Sequence, residues 1–115
     1  MSAITRGGLD LYIYVRFNQL LIKLRGDFNI TTLQAFVSRM RILKEHYNKQ
    51  FVFDAKYLYN IDSSGISTLV NLTKVFRKKP ALYNIRDEIM DIFNVSGVPY
   101  VYTLYKTEKA FRKYN

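Results

Sequence analysis

The chain has 115 residues, of which 49% are hydrophobic and 23% are charged, a balance typical of a folded globular domain. This length supplies one hydrophobic core and is too short for two independent cores, so we expect a single domain over residues 1–115. The absence of cysteine excludes disulfides and thiolate chemistry, and the net charge of +9 favours acidic partners.

A hairpin is predicted near the start of the chain. Residues 11–16 and 20–25 are rich in β-branched, aliphatic and aromatic side chains, which favour strands. The polar pair Asn18 and Gln19 separates the two runs and predicts the turn between them. Gly26 is predicted to end the second strand.

A helix is predicted to begin at Thr31 or Thr32, whose hydroxyl would cap it. Apolar residues then recur at the spacing of one buried helical face: Leu33, Phe36, Val37, Met40, Leu43 and Tyr47. Residues 50–54 follow as a short continuous apolar run. Such a run is typical of a central parallel strand that is buried on both faces.

A second helix is predicted after the polar turn at residues 62–65. Its inward-facing positions are Ile66, Leu69, Val70, Thr73 and Phe76. It should stop near Lys79, because Pro80 disfavours helical geometry in the residue before it. Residues 81–83 then predict a short strand.

The last part of the chain continues the alternation of helix and strand. Asn84 is predicted to cap a third helix that ends at Gly97, with inward positions Ile85, Ile89, Ile92 and Phe93. Residues 100–105 predict a strand, and 107–114 a short terminal helix. The expected fold class is therefore α/β, a mixed and mostly parallel sheet with an N-terminal hairpin and flanking α-helices.

Catalytic chemistry has little support in the sequence. His46 is expected at the exposed end of a helix, the carboxylates are dispersed, and no glycine-rich phosphate-binding motif occurs. We therefore expect no enzyme, no catalytic residue, no metal ion and no cofactor. Most aromatic residues fall at strand or helix-core positions, so we interpret them as core and expect no direct nucleic-acid binding.

The turn Asp62-Ser63-Ser64-Gly65 places two hydroxyls and a carboxylate where a buried strand gives way to a helix. The first amides of a helix lack internal partners and the helix dipole is positive there, so a phosphate on a serine is accommodated. Alternatively, Asp62 or Ser63 serves as an ordinary helix cap worth ~1 kcal/mol. The two interpretations are compatible.

This turn also carries a resemblance to a known family. Residues 51–54 and the motif at 62–66 resemble the strand and Asp-Ser-Ser-Gly signature of the STAS domain, especially in bacterial anti-sigma factor antagonists. Residues 26–29 resemble the family's Gly-Glu-Ile-Asp entry to its first helix, and 92–98 resemble its Leu-Phe-x-x-[ST]-Gly-[LV] segment. The resemblance covers about residues 11–110 and implies a STAS-like single domain.

The resemblance implies a phosphorylation switch. In such antagonists the serine after the motif aspartate is the acceptor, here Ser63, with Ser64 as the second candidate. The unphosphorylated form binds a serine-kinase anti-sigma factor and releases the sigma factor, and a cognate phosphatase resets the switch. The implied partner-binding residues are Asn29, Asp62, Ser63, Ser64 and Gly65. Asn29 stands where the family usually has aspartate. Asp62 would orient the acceptor hydroxyl or help to recruit the metal-bound nucleotide of the kinase, and Gly65 would let the partner backbone approach closely.

The family resemblance also implies an alternative. The chain would then be a constitutive STAS subunit of a membrane transporter or of another signalling assembly, with the same turn unmodified. We expect a cytoplasmic protein, because residues 1–6 lack a signal-peptide core and no apolar run approaches the ~20 residues that span a bilayer. We also expect it to be a monomer. Membrane association is expected only through a partner or the basic surface.

Overall fold

A five-stranded sheet with helices on both faces makes up residues 8–115, the part of the chain that the computed structural model describes. The prediction for residues 1–6 lies outside this part. The strands are β1 Leu9–Val15, β2 Gln19–Phe28, β3 Gln50–Ile61, β4 Ala81–Tyr83 and β5 Thr103–Leu104. The helices are α1 Leu33–His46, α2 Ser63–Leu72, α3 Asp87–Asn94, α4 Val98–Val101 and α5 Glu108–Lys113.

The strands lie in the order β1-β2-β3-β4-β5. The pair β1 and β2 is the predicted antiparallel hairpin, and all the other neighbouring pairs are parallel. Strand β3 lies at the centre, and its first half from Phe51 to Ala55 is buried. The expected mixed, mostly parallel sheet is therefore confirmed, as is the central parallel strand.

Two hydrophobic clusters cover opposite faces of this sheet. The larger one contains the predicted inward residues Phe36, Met40 and Leu43 of α1, and the Phe28 and Phe36 rings lie 4.6 Å apart. The smaller cluster lies under α5 and comprises Leu21, Val52, Ala81, Tyr83 and Phe111. In β2, β3 and β4, neighbouring residues therefore point alternately into the larger and the smaller cluster, as the twofold side-chain period of a strand requires.

Strands β2 and β3 are both longer than predicted. Gly26 does not end β2, because it adopts a φ of +119° at a register irregularity and the strand continues to Phe28. A Cβ at this position would collide with the Gly8 carbonyl oxygen, which explains why glycine stands here. The extension of β2 gives β3 a partner as far as Ile61, opposite Phe28.

Two predicted details of α1 and α2 are wrong. Thr32 is the residue before α1, but its hydroxyl makes no capping bond and instead donates to the Asp27 carbonyl at 2.9 Å. Helix α2 ends at Leu72 and not near Lys79, because a short 3-10 turn follows it. In that turn the Thr73 hydroxyl donates to the Val70 carbonyl at 2.7 Å.

The region after β4 also differs from prediction. Asn84 does not cap α3; it has a φ of +57°, donates to the Asp54 carboxylate at 3.1 Å and accepts from the Glu108 amide at 3.0 Å. Ile92, expected to point inward, is exposed. The predicted strand at 100–105 is reduced to β5, because Pro99 lies in the first turn of the short helix α4.

Candidate functional site

The Asp62 turn lies at one edge of the sheet, where the parallel strands β2 and β3 both end. Ile61 pairs with Phe28, and the Asp62 amide donates to the Phe28 carbonyl at 3.1 Å. Asn29 follows Phe28 directly, so the extended strands bring Asn29 beside the Asp62 turn. Two segments that are more than thirty residues apart in sequence thus form one site.

Asp62 holds this site together through both of its carboxylate oxygens. As the residue before α2, it accepts from the Gly65 amide through Oδ1 at 2.8 Å. Its Oδ2 accepts from the Ile30 amide at 3.2 Å, in the loop that leads into α1. Asp62 therefore joins the start of α2 to the loop that leads into α1.

Ser63 is the first residue of α2, and its side chain is exposed. Of the two candidate caps, the structure selects Asp62, so Ser63 is not the capping residue. The first intrahelical bond runs from the Ile66 amide to the Asp62 carbonyl, so the Ser63 amide stands among the free amides of the helix start. Ser64 is half-buried and therefore less accessible to a partner.

Asn29 organises the entry to α1. Its Oδ1 accepts from the Thr31 amide at 2.9 Å and from the Thr31 hydroxyl at 2.6 Å. Its carbonyl accepts from the Leu33 amide at 3.0 Å. These bonds account for the side-chain oxygen of Asn29 within its own loop, in the manner of an Asx turn.

The packing around Gly65 explains why glycine stands at this position. It is buried, and a Cβ there would lie 2.6 Å from the Phe28 carbonyl oxygen and 2.9 Å from Ile61 Cγ1. The close approach that requires glycine is therefore made within this chain, between α2 and the ends of β2 and β3. This packing is by itself a reason for glycine here, and the approach of a partner backbone to Gly65 stays a prediction.

Sequence reasoning missed two neighbours of the turn. Ile30 is exposed although it is aliphatic, and it lies beside Asp62 through the bond of its amide. Asp27 accepts from the Asn60 side chain at 2.8 Å and adds a second carboxylate to this edge of the sheet. An apolar residue in the polar loop before a helix was the only available signal for Ile30.

Within residues 8–115, no group of histidine, aspartate and glutamate side chains is arranged to hold a metal ion. No helix of the same residues has the length and apolar character needed to cross a bilayer. The site consists of an exposed hydroxyl, backbone amides and carboxylates. These groups are suited to recognition and to accepting a modification.

A family model described as the STAS domain matches residues 10–110. Among solved structures, an anti-sigma factor antagonist from Mycobacterium paratuberculosis matches with a TM-score of 0.79 and 13% identity, over 91% of this chain and 92% of that one. The Bacillus cell fate determinant SpoIIAA in its phosphorylated form matches with a TM-score of 0.65 and 15% identity, over 93% and 99% of the two chains.

The murine Slc26a9 anion transporter in its inward-facing state matches with a TM-score of 0.67 and 13% identity, over 85% of this chain and 18% of the transporter. Among proteins of curated function, no sequence matches this chain. At these identities, the similarity to the solved structures establishes the fold alone.

Proposed function

Because the chain belongs to the STAS domain family, we propose that it is an anti-sigma factor antagonist switched by phosphorylation of Ser63. The unphosphorylated protein binds a serine-kinase anti-sigma factor and releases the sigma factor, and a cognate phosphatase restores this form. The observation that carries the proposal is that Asp62 caps α2 and leaves the Ser63 hydroxyl exposed. Ser63 is therefore accessible to a kinase without any opening of the fold.

The electrostatics of the turn support a switch. Phosphorylation replaces a neutral hydroxyl with a group of about −2 charge. The start of α2 stabilises that charge in the free protein through its amides and dipole. The neighbouring Asp62 carboxylate is also exposed. A partner that covered the turn would therefore remove water from two neighbouring negative groups, the phosphate and this carboxylate. The modification is thus compatible with the fold and unfavourable for the complex.

In this proposal Asn29, Asp62, Ser64 and Gly65 complete the partner surface around Ser63. Asp62 and Asn29 position the turn and the α1 entry, Ser64 is the second acceptor, and Gly65 keeps α2 close to Phe28. In this proposal the whole of residues 1–115 is one cytoplasmic, monomeric binding domain. It has no catalytic residue, metal ion or cofactor of its own.

A capture experiment from native lysate tests the switch. Baits are the wild-type protein and the Ser63→Ala, Ser63→Asp and Ser67→Asp variants; Ser67 is also exposed on α2 and carries the matched charge change. We expect all except Ser63→Asp to retain a nucleotide-binding anti-sigma factor, with at least a tenfold loss for Ser63→Asp. Incubation of the captured kinase with ATP should place phosphate on Ser63, as read by mass spectrometry.

Stability measurements serve as the control. Ser63→Ala and Ser63→Asp should change the free energy of unfolding by less than about 0.5 kcal/mol, because the side chain is exposed. Asp62→Ala should cost about 1 kcal/mol through loss of the cap. Equal retention of the anti-sigma factor by Ser63→Asp, or phosphate only at other residues, would contradict the proposal.

A second candidate function is a constitutive subunit or module of a membrane assembly. The match to an anion-transporter chain and the net charge of +9, which favours anionic lipid surfaces, support it. In the same capture experiment, this function predicts that all four baits retain one transporter or scaffold protein. Insensitivity to charge at position 63 thus separates the two candidates.

A further inference from the structure

Beyond the end of α5, one face of the sheet carries no other element from residues 8–115. Its side chains come from three neighbouring strands and form what we term the tyrosine face: Tyr12 and Tyr14 of β1, Lys23 and Arg25 of β2, and Tyr57 and Tyr59 of β3. Together they line a shallow depression of about 500 Å³. Each of the four tyrosines is 42–47% exposed, so they are not the core residues that the sequence predicted.

The sheet register gives this face an ordered pattern. Tyr12 is paired with Lys23, and Arg25 is paired with Tyr57. Neighbouring strands are about 4.8 Å apart, so the two cations of β2 form a row between two pairs of aromatic rings. The rings of Tyr57 and Tyr59 have centroids 6.5 Å apart.

Further cations border the rings. The Lys23 ammonium lies 5.2 Å from the centre of the Tyr14 ring, and the Arg86 guanidinium lies 5.3 Å from that of Tyr59. Lys56 lies 5.5 Å from the Tyr57 ring. Positive charge and aromatic surface are therefore combined around the depression.

Of the cations around the depression, Arg86 is paired with Glu88 at 2.9 Å, whereas within residues 8–115 the two cations of β2 take part in no salt bridge. Asp10 is paired in register with Arg25 and is half-buried, yet the two form no salt bridge. Asp54 is buried and is engaged by the Lys56 amide and the Asn84 side chain. Of the six residues that line the depression, two are basic and none is acidic.

We infer that the tyrosine face binds single-stranded nucleic acid. Exposed aromatic rings stack on unpaired bases, and a row of cations follows the phosphate backbone. An acidic protein partner fits less well, because the depression is lined by hydroxyl-bearing rings and cations and offers no aliphatic side chain for a desolvated interface core. This activity is separate from the switch at Ser63.

Fluorescence anisotropy with labelled oligonucleotides tests the inference on the full chain. The probes are single-stranded DNA, single-stranded RNA and a duplex of the same sequence, at about 50 mM salt and above. We expect one or both single strands to bind more tightly than the duplex. Tyr57→Leu with Tyr59→Leu should weaken binding by about fivefold or more for each stacked base lost.

The charge arm of the experiment uses matched variants. Lys23→Gln with Arg25→Gln should weaken binding and reduce the slope of log affinity against log salt by about 1.4, the value for two lost phosphate contacts. Lys78→Gln with Lys79→Gln removes the same charge from an exposed segment beside Gln50, at the other end of β3 from Tyr57 and Tyr59, and should have little effect. Circular dichroism tests whether each variant is folded. If a double variant is not folded, a single substitution from that pair replaces it, Tyr59→Leu for the tyrosines and Lys23→Gln for the cations.

Several outcomes would overturn the inference. Absence of binding at low salt, equal affinity for the duplex, or equal weakening by the Lys78 and Lys79 pair would each reject a stacking face. Displacement of the oligonucleotide by polyglutamate at an equal charge concentration would instead indicate an acidic protein partner. Retention of binding by Ser63→Asp is expected, and its loss would place the nucleic acid on the Asp62 turn and away from the tyrosine face.

Discussion

At the scale of single residues, the Asp62 turn assigns structural hydrogen bonding and surface exposure to two neighbouring residues. Asp62 uses both carboxylate oxygens to hold the α2 start and the α1 entry, while Ser63 remains exposed. Gly65 makes this arrangement possible, because α2 begins in contact with the Phe28 carbonyl. A modification of Ser63 can therefore change surface charge without removing a structural hydrogen bond.

The packing of Gly65 leads to a stability prediction. In Gly65→Ala the new methyl would lie 2.6 Å from the Phe28 carbonyl oxygen, so backbone atoms would have to move to relieve the clash. We expect a loss of about 1–3 kcal/mol in the free energy of unfolding, measured by urea denaturation. Gly97→Ala is the comparison, since its Cβ would lie 3.6 Å from the nearest atom of Val70. Because Gly97 is the residue before α4 and alanine is a poorer cap, this change should still cost about 0.5 kcal/mol. Equal effects of the two substitutions would contradict this account.

At the scale of elements, α5 determines how much of the second sheet face is open. Phe111 is its buried residue, and its ring lies 5.2 Å from that of Tyr83 and 5.3 Å from that of Tyr105. The helix has only six residues, too few to be stable without tertiary contacts. Its docking therefore depends on Phe111, and the surface beyond it is the tyrosine face.

Phe111→Ala should release α5 from the sheet. We expect a cost of about 3 kcal/mol in the free energy of unfolding, and faster hydrogen exchange in the amides of residues 108–113. Lys109→Ala, an exposed change in the same helix, should leave both measurements nearly unchanged. Unaltered exchange in Phe111→Ala would show that other contacts hold α5.

At the scale of the whole molecule, buried tyrosines link stability to alkaline pH. Burial, followed by the Glu108 and Asp54 carboxylates, raises the pKa of Tyr83 to about 12. Burial also raises the pKa of Tyr102, whose hydroxyl donates to the Leu69 carbonyl at 2.8 Å. Both hydroxyls thus remain protonated in the folded protein at a pH where they ionise in the unfolded chain.

The sign of this effect gives a pH prediction. Above about pH 10 the unfolded chain releases tyrosine protons that the folded chain retains, so stability falls as pH rises toward about 12. Urea denaturation across this range should show a shallower fall for Tyr83→Phe than for the wild type. The exposed change Tyr100→Phe should leave the slope unchanged, and the same slope in Tyr83→Phe would contradict the assignment.

The sequence predicted the elements more reliably than their ends. Hydrophobic spacing correctly indicated α1, and the short apolar runs correctly indicated the hairpin and the central strand. The predicted end of β2 at Gly26 and the predicted cap of α3 at Asn84 were wrong, as was the predicted end of α2 near Lys79. A glycine can bend a strand without ending it, and an asparagine can bridge neighbouring elements as well as cap a helix. These choices depend on partners distant in the sequence, which local propensity does not contain.

By itself, the sequence determined the α/β class, the STAS resemblance and the Asp62 to Gly65 turn, because periodicity and a contiguous motif are local properties. Only the tertiary structure decided that Asp62 is the cap, that Gly65 meets Phe28 and that Asn29 lies beside the turn. It also decided that four tyrosines are exposed, because the alternation of side chains along a strand is the same whether or not a helix covers that face of the sheet. The length and docking of α5 determine which part of this face is covered, and the docking of α5 depends on contacts between residues distant in the sequence.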